Sequence, residues 1–342
     1  SAGKYIERFE SEFAAFCGVE HAVSCCNGTV ALHLALLAFD VGPGDEVIVP
    51  TLTYVATANA VTYCGARPAF VDAEPQTWNM DPAQVAERIT PRTKGIIVVH
   101  LYGHPTDMDP ILALARERGL FVIEDAAEAH GAEYKGRRTG SLADIATFSF
   151  FGNKIITTGG GGMIVTNDPA LAAKAKYLST QAKDDPVEYV HKETGFNYRL
   201  TNVQAALGCA QMELLDEFVA IKRGIAAEYA QAFADLPGVT MMSEAGWARS
   251  IFWLNTVLID ADEYGEDSRA LMKRLARRGI QARPLWQPLH RSEALSGAQS
   301  VGGEVADDIN RRALSLPSSV GMTPEQVQEV IGAVCGPGRV TR

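Results

Sequence analysis

"GIIVVHLYGHPTDMDPILALARERGLFVIED", residues 95–125, sets two apolar runs on either side of a helical pattern. The runs "GIIVVH" (Gly95–His100) and "LFVIED" (Leu120–Asp125) are apolar throughout instead of alternating, as expected of strands covered on both faces. Between them, "DPILALARERG" predicts a helix with Asp109 as N-cap, Pro110 at the first helical position and Gly119 closing the end. A strand, a helix and a strand in this order imply a mostly parallel sheet with helices on both faces.

The same alternation extends in both directions. Further strands are expected at "EVIVP" (Glu46–Pro50), "PAFVD" (Pro68–Asp72), "IATFSF" (Ile145–Phe150) and "GMIVT" (Gly162–Thr166), with a helix at "TVALHLALLAF" (Thr29–Phe39). From Thr201 to Leu236 the pattern becomes one long helical stretch, capped by Thr201 or Asn202. Beyond it lie a strand at "SIFWLNTVLI" (Ser250–Ile259), a charged helix from Ser268 to Arg278 and a last helix from Pro324 to Val334. The expected architecture is α/β, with a large domain over residues 1–215 and a smaller C-terminal α+β domain over residues 216–342.

With 342 residues, 47% of them hydrophobic, the chain can bury cores for both. Its formal net charge is −10 and it has no basic run, so nucleic-acid binding through phosphates has no electrostatic footing. No apolar stretch approaches the ~20 residues of a membrane span, and the start carries no signal-peptide pattern. A cytoplasmic chain without membrane contacts is expected. The six cysteines (Cys17, Cys25, Cys26, Cys64, Cys209, Cys335) have no C-x-x-C spacing and read as buried reduced thiols. No metal site is expected from the seven histidines.

In sheets of this kind ligands sit beyond the carboxyl ends of the strands. Polar groups stand there at His100, Asp125, Ser149 and the loop carrying Lys154 in "TFSFFGNKIITTGGGGMIV" (Thr147–Val165). No G-x-G-x-x-G follows the early strands, and Ile155 after Lys154 rules out a P-loop. Asn27-Gly28-Thr29, opening a helix, offers backbone N–H groups and a hydroxyl to a phosphate; read alone it is equally a good helix cap. A lysine made nucleophilic by burial and an aspartate that keeps a pyridine nitrogen protonated would complete a pyridoxal phosphate site. Spacing alone permits that arrangement without requiring it.

Four stretches, "IEDAAEAHGA", "TFSFFGNKIITTGGGGMIVT", "GFNYRLTNVQAALG" and "RPLWQPLH", closely resemble the DegT/DnrJ/EryC1/StrS sugar aminotransferases, and the likeness extends over essentially the whole chain. The resemblance implies the pyridoxal phosphate fold type I, as in aspartate aminotransferase. It also implies amination of keto sugars carried on nucleotides. "PTLTYVATANAVTYCGARPAFVD", "TWNMDP" and "VHLYGHPTDMDP" resemble the branch of perosamine synthases and bacillosamine/legionaminic-pathway aminotransferases, and "STQAKDDPVEYVH" is more similar to the second.

By that resemblance Lys154 holds the cofactor as a Schiff base and later moves the proton, and Asp125 pairs with the pyridinium nitrogen. Tyr54 stacks on the ring. Gly28, Thr29 and Ser149 hold the phosphate, joined by Asn197 of the neighbouring subunit in an obligate homodimer with shared sites. Glu128 falls near the cofactor's phenolic oxygen, and Tyr102, Arg283 and His290 line the substrate cleft. The implied reaction moves the amino group of L-glutamate, leaving 2-oxoglutarate, to C4 of a 4-keto-6-deoxy sugar. UDP-N-acetyl-4-keto-6-deoxyglucosamine is the first expectation and GDP-4-keto-6-deoxymannose the alternative. A catalytically silent binder of cofactor or nucleotide sugar is a further alternative. Two departures stand out: Gly160 occupies a position where many relatives carry glutamate, and the family usually precedes "SAGKYIERFE" with another short helical segment, so residues are expected to be missing there.

Overall fold

The computed structural model describes residues 3–185 and 187–336. Its central sheet has eight strands in the order His21–Cys25, Gly162–Thr166, Ile145–Ser149, Phe121–Asp125, Thr93–Val99, Glu46–Pro50, Arg67–Val71 and Gln299–Val301. Gly162–Thr166 runs antiparallel to both of its neighbours, and every other pairing is parallel. All six apolar runs expected in this region are strands. Their continuous apolarity has the anticipated cause, since Glu46–Pro50, Ile145–Ser149 and Gly162–Thr166 are buried at every position. One face carries Phe9, Phe13, Phe148 and Phe150; the other carries Leu34, Val49, Ile123 and Ile164. The edge strand His21–Cys25, with His21 and Ser24 among apolar residues, is too mixed to announce itself in the sequence.

The defining unit forms as a strand, the helix Met108–Arg118 and a strand. Gly119 closes the helix at φ 64°, in the left-handed region where glycine carries no steric penalty. The expected cap is displaced by two residues: Asp107 is the N-cap, and Asp109 lies inside the first turn. The Asp107 carboxylate makes no capping bond because it accepts the Tyr134 hydroxyl at 2.6 Å.

The long helical stretch after Thr201 is two helices, Asn202–Met212 and Leu215–Phe233. Thr201 caps the first in a capping box with Gln204. The break follows from what each helix must cover. The first packs against Lys4–Cys17 so closely that a Cβ on Gly208 would lie 2.6 Å from the Phe9 ring. The second buries Ile225, Tyr229 and Phe233 against a different sheet. One straight helix cannot serve both surfaces.

That second sheet is antiparallel, in the order Val239–Met241, Asn255–Ile259, Ala313–Leu316 and Arg283–Pro284. The strand expected over Ser250–Ile259 starts only at Asn255. Its first half turns toward the large sheet instead: Phe252 has φ 47°, and the N–H groups of Ile251 and Trp253 donate to the carbonyls of Gly103 and Tyr102. The C-terminal part also returns to the large sheet. Gln299–Val301 adds a strand beside Arg67–Val71, and the Asp72 carboxylate accepts N–H groups of Gly303, Val305 and Ala306 at 2.7–3.0 Å. Asp72 therefore caps the helix Glu304–Arg312 from 232 positions away. Among the described residues no helix is long and apolar enough to cross a membrane.

Candidate active site

Beyond the carboxyl ends of the parallel strands, Thr51, His100, Asp125 and Ser149 stand side by side. Asp125, the last residue of its strand, is 6% exposed. Thr57, in the first turn of the helix Ala56–Tyr63, donates its hydroxyl to Asp125 Oδ2 at 2.8 Å, and the Ala127 N–H donates to Oδ1 at 3.3 Å. Burial pushes the Asp125 carboxyl above its usual range, opposed by these two donors and by Lys154.

Behind Asp125 lies a second buried group. His100 Nδ1 accepts the Thr106 N–H, which leaves Nε2–H to donate to Glu124 Oε2 at 3.0 Å. The other acceptor sites of Glu124 take the N–H groups of Gly140, Leu142 and Ala143. This network fixes the turn beneath the site. His100 and His104 are four residues apart, a spacing that suits a metal on a helix. Here both nitrogens of His104 are also engaged within the protein, with the Pro105 carbonyl and the Ala245 N–H.

Lys154 follows the strand Ile145–Ser149 and is largely buried, its Nζ 3.8 Å from Glu128 Oε1 and 4.1 Å from the centre of the Trp253 ring. Burial lowers its pKa, while Glu128 and then Asp125 raise it. Glu128 is pushed up to about 7, chiefly by burial, with Lys154 and the Tyr102 N–H pulling the other way.

The helix Gly28–Ala38 begins against Ser149: a Cβ on Gly28 would lie 2.8 Å from the Ser149 Cβ. Asn27 caps Val30 at 3.0 Å, leaving the N–H groups of Gly28 and Thr29 without intrahelical acceptors. A free helix N-terminus beside a serine hydroxyl suits a phosphate, and a buried carboxylate ends the neighbouring strand while the buried lysine sits on the loop after that serine. The residues present fit pyridoxal phosphate.

The remaining expected positions are more dispersed. Tyr54 is 52% exposed, with its ring 5.6 Å from that of Trp286. Tyr102 is 2% exposed and packs on Trp253 and Trp286, so it supports the cleft from behind its wall. His290 is also engaged: Nδ1 lies 2.7 Å from Thr51 Oγ1 and Nε2 3.3 Å from Asp307. Arg283 is exposed on the short strand opposite Ser315, and Asn197 is exposed with Arg199 at 3.5 Å. Gly160 has no φ in the left-handed region, and a Cβ there would meet only ordinary contacts, so nothing in the backbone requires glycine. Thr57 and Trp253 were not singled out by the sequence. Thr57 lies three residues after Tyr54, one helical turn on, which was the available signal; Trp253 reads as an ordinary core aromatic.

The model of the DegT/DnrJ/EryC1/StrS aminotransferase family matches residues 1–335. The chain belongs to this family. Its members are pyridoxal phosphate-dependent aminotransferases of nucleotide sugars, and the chain is accordingly an enzyme of that kind. It is 49% identical over 335 residues to the GDP-perosamine synthase of Caulobacter vibrioides, covering 98% of this chain and 90% of that one. With the GDP-perosamine synthase of Escherichia coli O157:H7 it shares 45% over 327 residues, 96% of this chain and 88% of the other. The crystal structure of S. venezuelae DesV in complex with a ketimine intermediate superposes with a TM-score of 0.91 at 39% identity, covering 97% and 89% of the two chains. Fold and cofactor class thus agree with the sequence reading. The sugar does not: these relatives favour the GDP-linked alternative over the UDP-linked first expectation.

Proposed function

We propose that the protein transfers the amino group of L-glutamate to C4 of GDP-4-keto-6-deoxymannose. The observation that carries this reading is the 49% identity to a GDP-perosamine synthase across nearly the whole chain. Bound pyridoxal phosphate supplies an electron sink for the carbon that loses its proton. Lys154 supplies the nucleophilic amine and moves the proton in both halves of the exchange. Its burial favours the neutral amine, because an ammonium is disfavoured away from water. Asp125 keeps the ring nitrogen protonated, its own charge held by Thr57 and the Ala127 N–H. Gly28, Thr29 and Ser149 hold the phosphate, with Asn197 of the second copy in a homodimer. Tyr54 would cover the cofactor's ring, and Glu128 would lie on the side of its phenolic oxygen. Arg283 meets the sugar nucleotide, whereas Tyr102 and His290 shape the cleft from behind it. The setting is cytoplasmic.

The test presents glutamate with GDP-4-keto-6-deoxymannose or UDP-N-acetyl-4-keto-6-deoxyglucosamine to the same enzyme preparation, following the amino sugar by chromatography. A preference of ~100-fold or more in kcat/KM for the GDP sugar is expected, since polar groups built for one base are left unpaired by the other. Preference for the UDP sugar overturns the reading. Bleaching of the cofactor's visible band by glutamate alone checks the donor half separately.

A further inference from the structure

The Lys154 ammonium lies between an aromatic face and a carboxylate that come from distant parts of the chain. On one side is the ring of Trp253 at 4.1 Å, on the other Glu128 Oε1 at 3.8 Å. Trp253 is fixed on three sides. Its indole N–H donates to the Asn153 carbonyl at 2.9 Å, its main-chain N–H donates to the Tyr102 carbonyl at 2.9 Å, and its carbonyl accepts from Lys222 Nζ at 2.7 Å.

Lys222 is unusual in its own right. It is 6% exposed, and its hydrogen bonds among the described residues go to the Trp253 carbonyl and, at 3.3 Å, to Ser318 Oγ, with no carboxylate among them. A buried ammonium without a counter-charge is costly, and burial pulls its pKa down to about 8. Its shorter bond holds the Trp253 carbonyl. Tyr102 closes the circuit from the other direction. Its N–H donates to Glu128 Oε2 at 2.8 Å and its carbonyl takes the Trp253 N–H, while its φ of 54° puts a bulky residue in the left-handed region. One strained residue therefore joins the carboxylate to the indole.

We propose that Trp253 and Glu128 form a seat for the Lys154 ammonium when its amine is not covalently engaged, and that Lys222 and Tyr102 are positioning residues that hold the seat together. The inference rests on Lys154 being the reactive amine of the proposed function. The indole face and the carboxylate both favour the charged amine, whereas burial favours the neutral one. A lysine that takes a proton from one carbon and returns it to another needs both forms within reach. The other titratable groups facing it are Asp125, which ends the strand Phe121–Asp125, and His130 beyond it, with Tyr102 beside Glu128. Asp125 acts in the same direction as Glu128, and neutral His130 adds no charge.

The test is trace acylation of the full-length chain freed of cofactor, run across pH and read on the Lys154 peptide by mass spectrometry. Neither sugar nor cofactor enters, so the result is independent of substrate identity. Trp253→Leu is expected to lower the pH midpoint of labelling by ~0.5–1 unit and Trp253→Phe by less, the order of ring strengths in cation–π contacts. Lys222→Met, which keeps the indole but leaves the Trp253 carbonyl only the longer bond from Ser318 Oγ at 3.4 Å, is expected to move the midpoint in the same direction. An unmoved midpoint in the leucine and Lys222→Met variants overturns the proposal, as does an equal displacement by phenylalanine and leucine. Should the leucine variant not fold, unmoved midpoints in both the phenylalanine and Lys222→Met variants overturn it.

Discussion

Thr57 holds Asp125. The hydroxyl reaches the carboxylate at 2.8 Å from the first turn of a helix that follows a different strand, so together with the Ala127 N–H it orients the group proposed to face a ring nitrogen. Thr57→Val removes that donor while keeping the shape. A lost hydrogen bond to a buried charge costs about 1.5–3 kcal/mol, so cofactor affinity should fall ~10-fold or more. The Asp125 pKa, already raised by burial, should rise further, because the Thr57 bond was lowering it. Equilibrium dialysis of pyridoxal phosphate across pH measures both effects, and unchanged affinity would count against the assignment of Asp125.

Gly28→Ala tests the phosphate cradle. The new Cβ would lie 2.8 Å from that of Ser149, closer than real contacts allow, so the helix start must shift away. Far-UV circular dichroism should be unchanged while the cofactor dissociates ~10-fold faster or more, the loss expected when a preorganised anion site is spread by a few tenths of an ångström. Retention equal to wild type would place the phosphate elsewhere.

Glu128 gives a stability signature without ligands. Its pKa rises from 4.5 unfolded to about 7 folded, so between those values the native state binds more protons than the unfolded state. Stability therefore falls as pH rises from about 4.5 through about 7. Glu128→Gln should flatten that slope in denaturant titrations of the cofactor-free protein, with the largest gain over wild type on the alkaline side.

His130 is fully buried, ringed by Phe13, Phe148 and Phe150, and neither of its nitrogens has a well-formed hydrogen bond. Burial, then Lys154, pushes its pKa down to about 3, so it stays neutral through the working range. Replacing an unpartnered buried polar ring by an apolar one of similar shape is neutral or stabilising. His130→Phe should melt within a few degrees of wild type or above it; a large loss of stability would reveal a hidden partner.

The sequence was most informative where one physical demand governs a run of residues. Glu46–Pro50 and Gly162–Thr166 matched their strands residue for residue: burial on both faces demands an apolar interior, and the polar ends are held by partners, Glu46 by Arg92 and Thr166 by the Asp144 carbonyl. Boundaries slipped where a distant group intervened. Tyr134 takes the Asp107 carboxylate away from capping the helix start, and Tyr102 and Gly103 pull Ser250–Leu254 out of its strand. Lys154, Asp125 and Gly28 were picked out as candidates by their places at strand ends and a helix start and were given roles by resemblance, and the structure sets Lys154 near Asp125 and Gly28 against Ser149. Thr57, Trp253 and Lys222 were not picked out, since a threonine in a helix, a tryptophan in an apolar run and a lysine in an amphipathic helix each have commoner explanations. What distinguishes them is what they touch across 68, 100 and 31 residues of chain.

The strand Gln299–Val301 and the cap that Asp72 provides have a consequence for how the chain comes off the ribosome. Chains emerge from the N-terminus, so the seven strands up to Thr166 are available long before the eighth. Until Gln299–Val301 has been made, Arg67–Val71 is an open edge able to pair with a neighbouring nascent chain, and Asp72 has nothing to cap. The final stretch is thus what seals the sheet, and a chain halted before it is the form most in need of a chaperone.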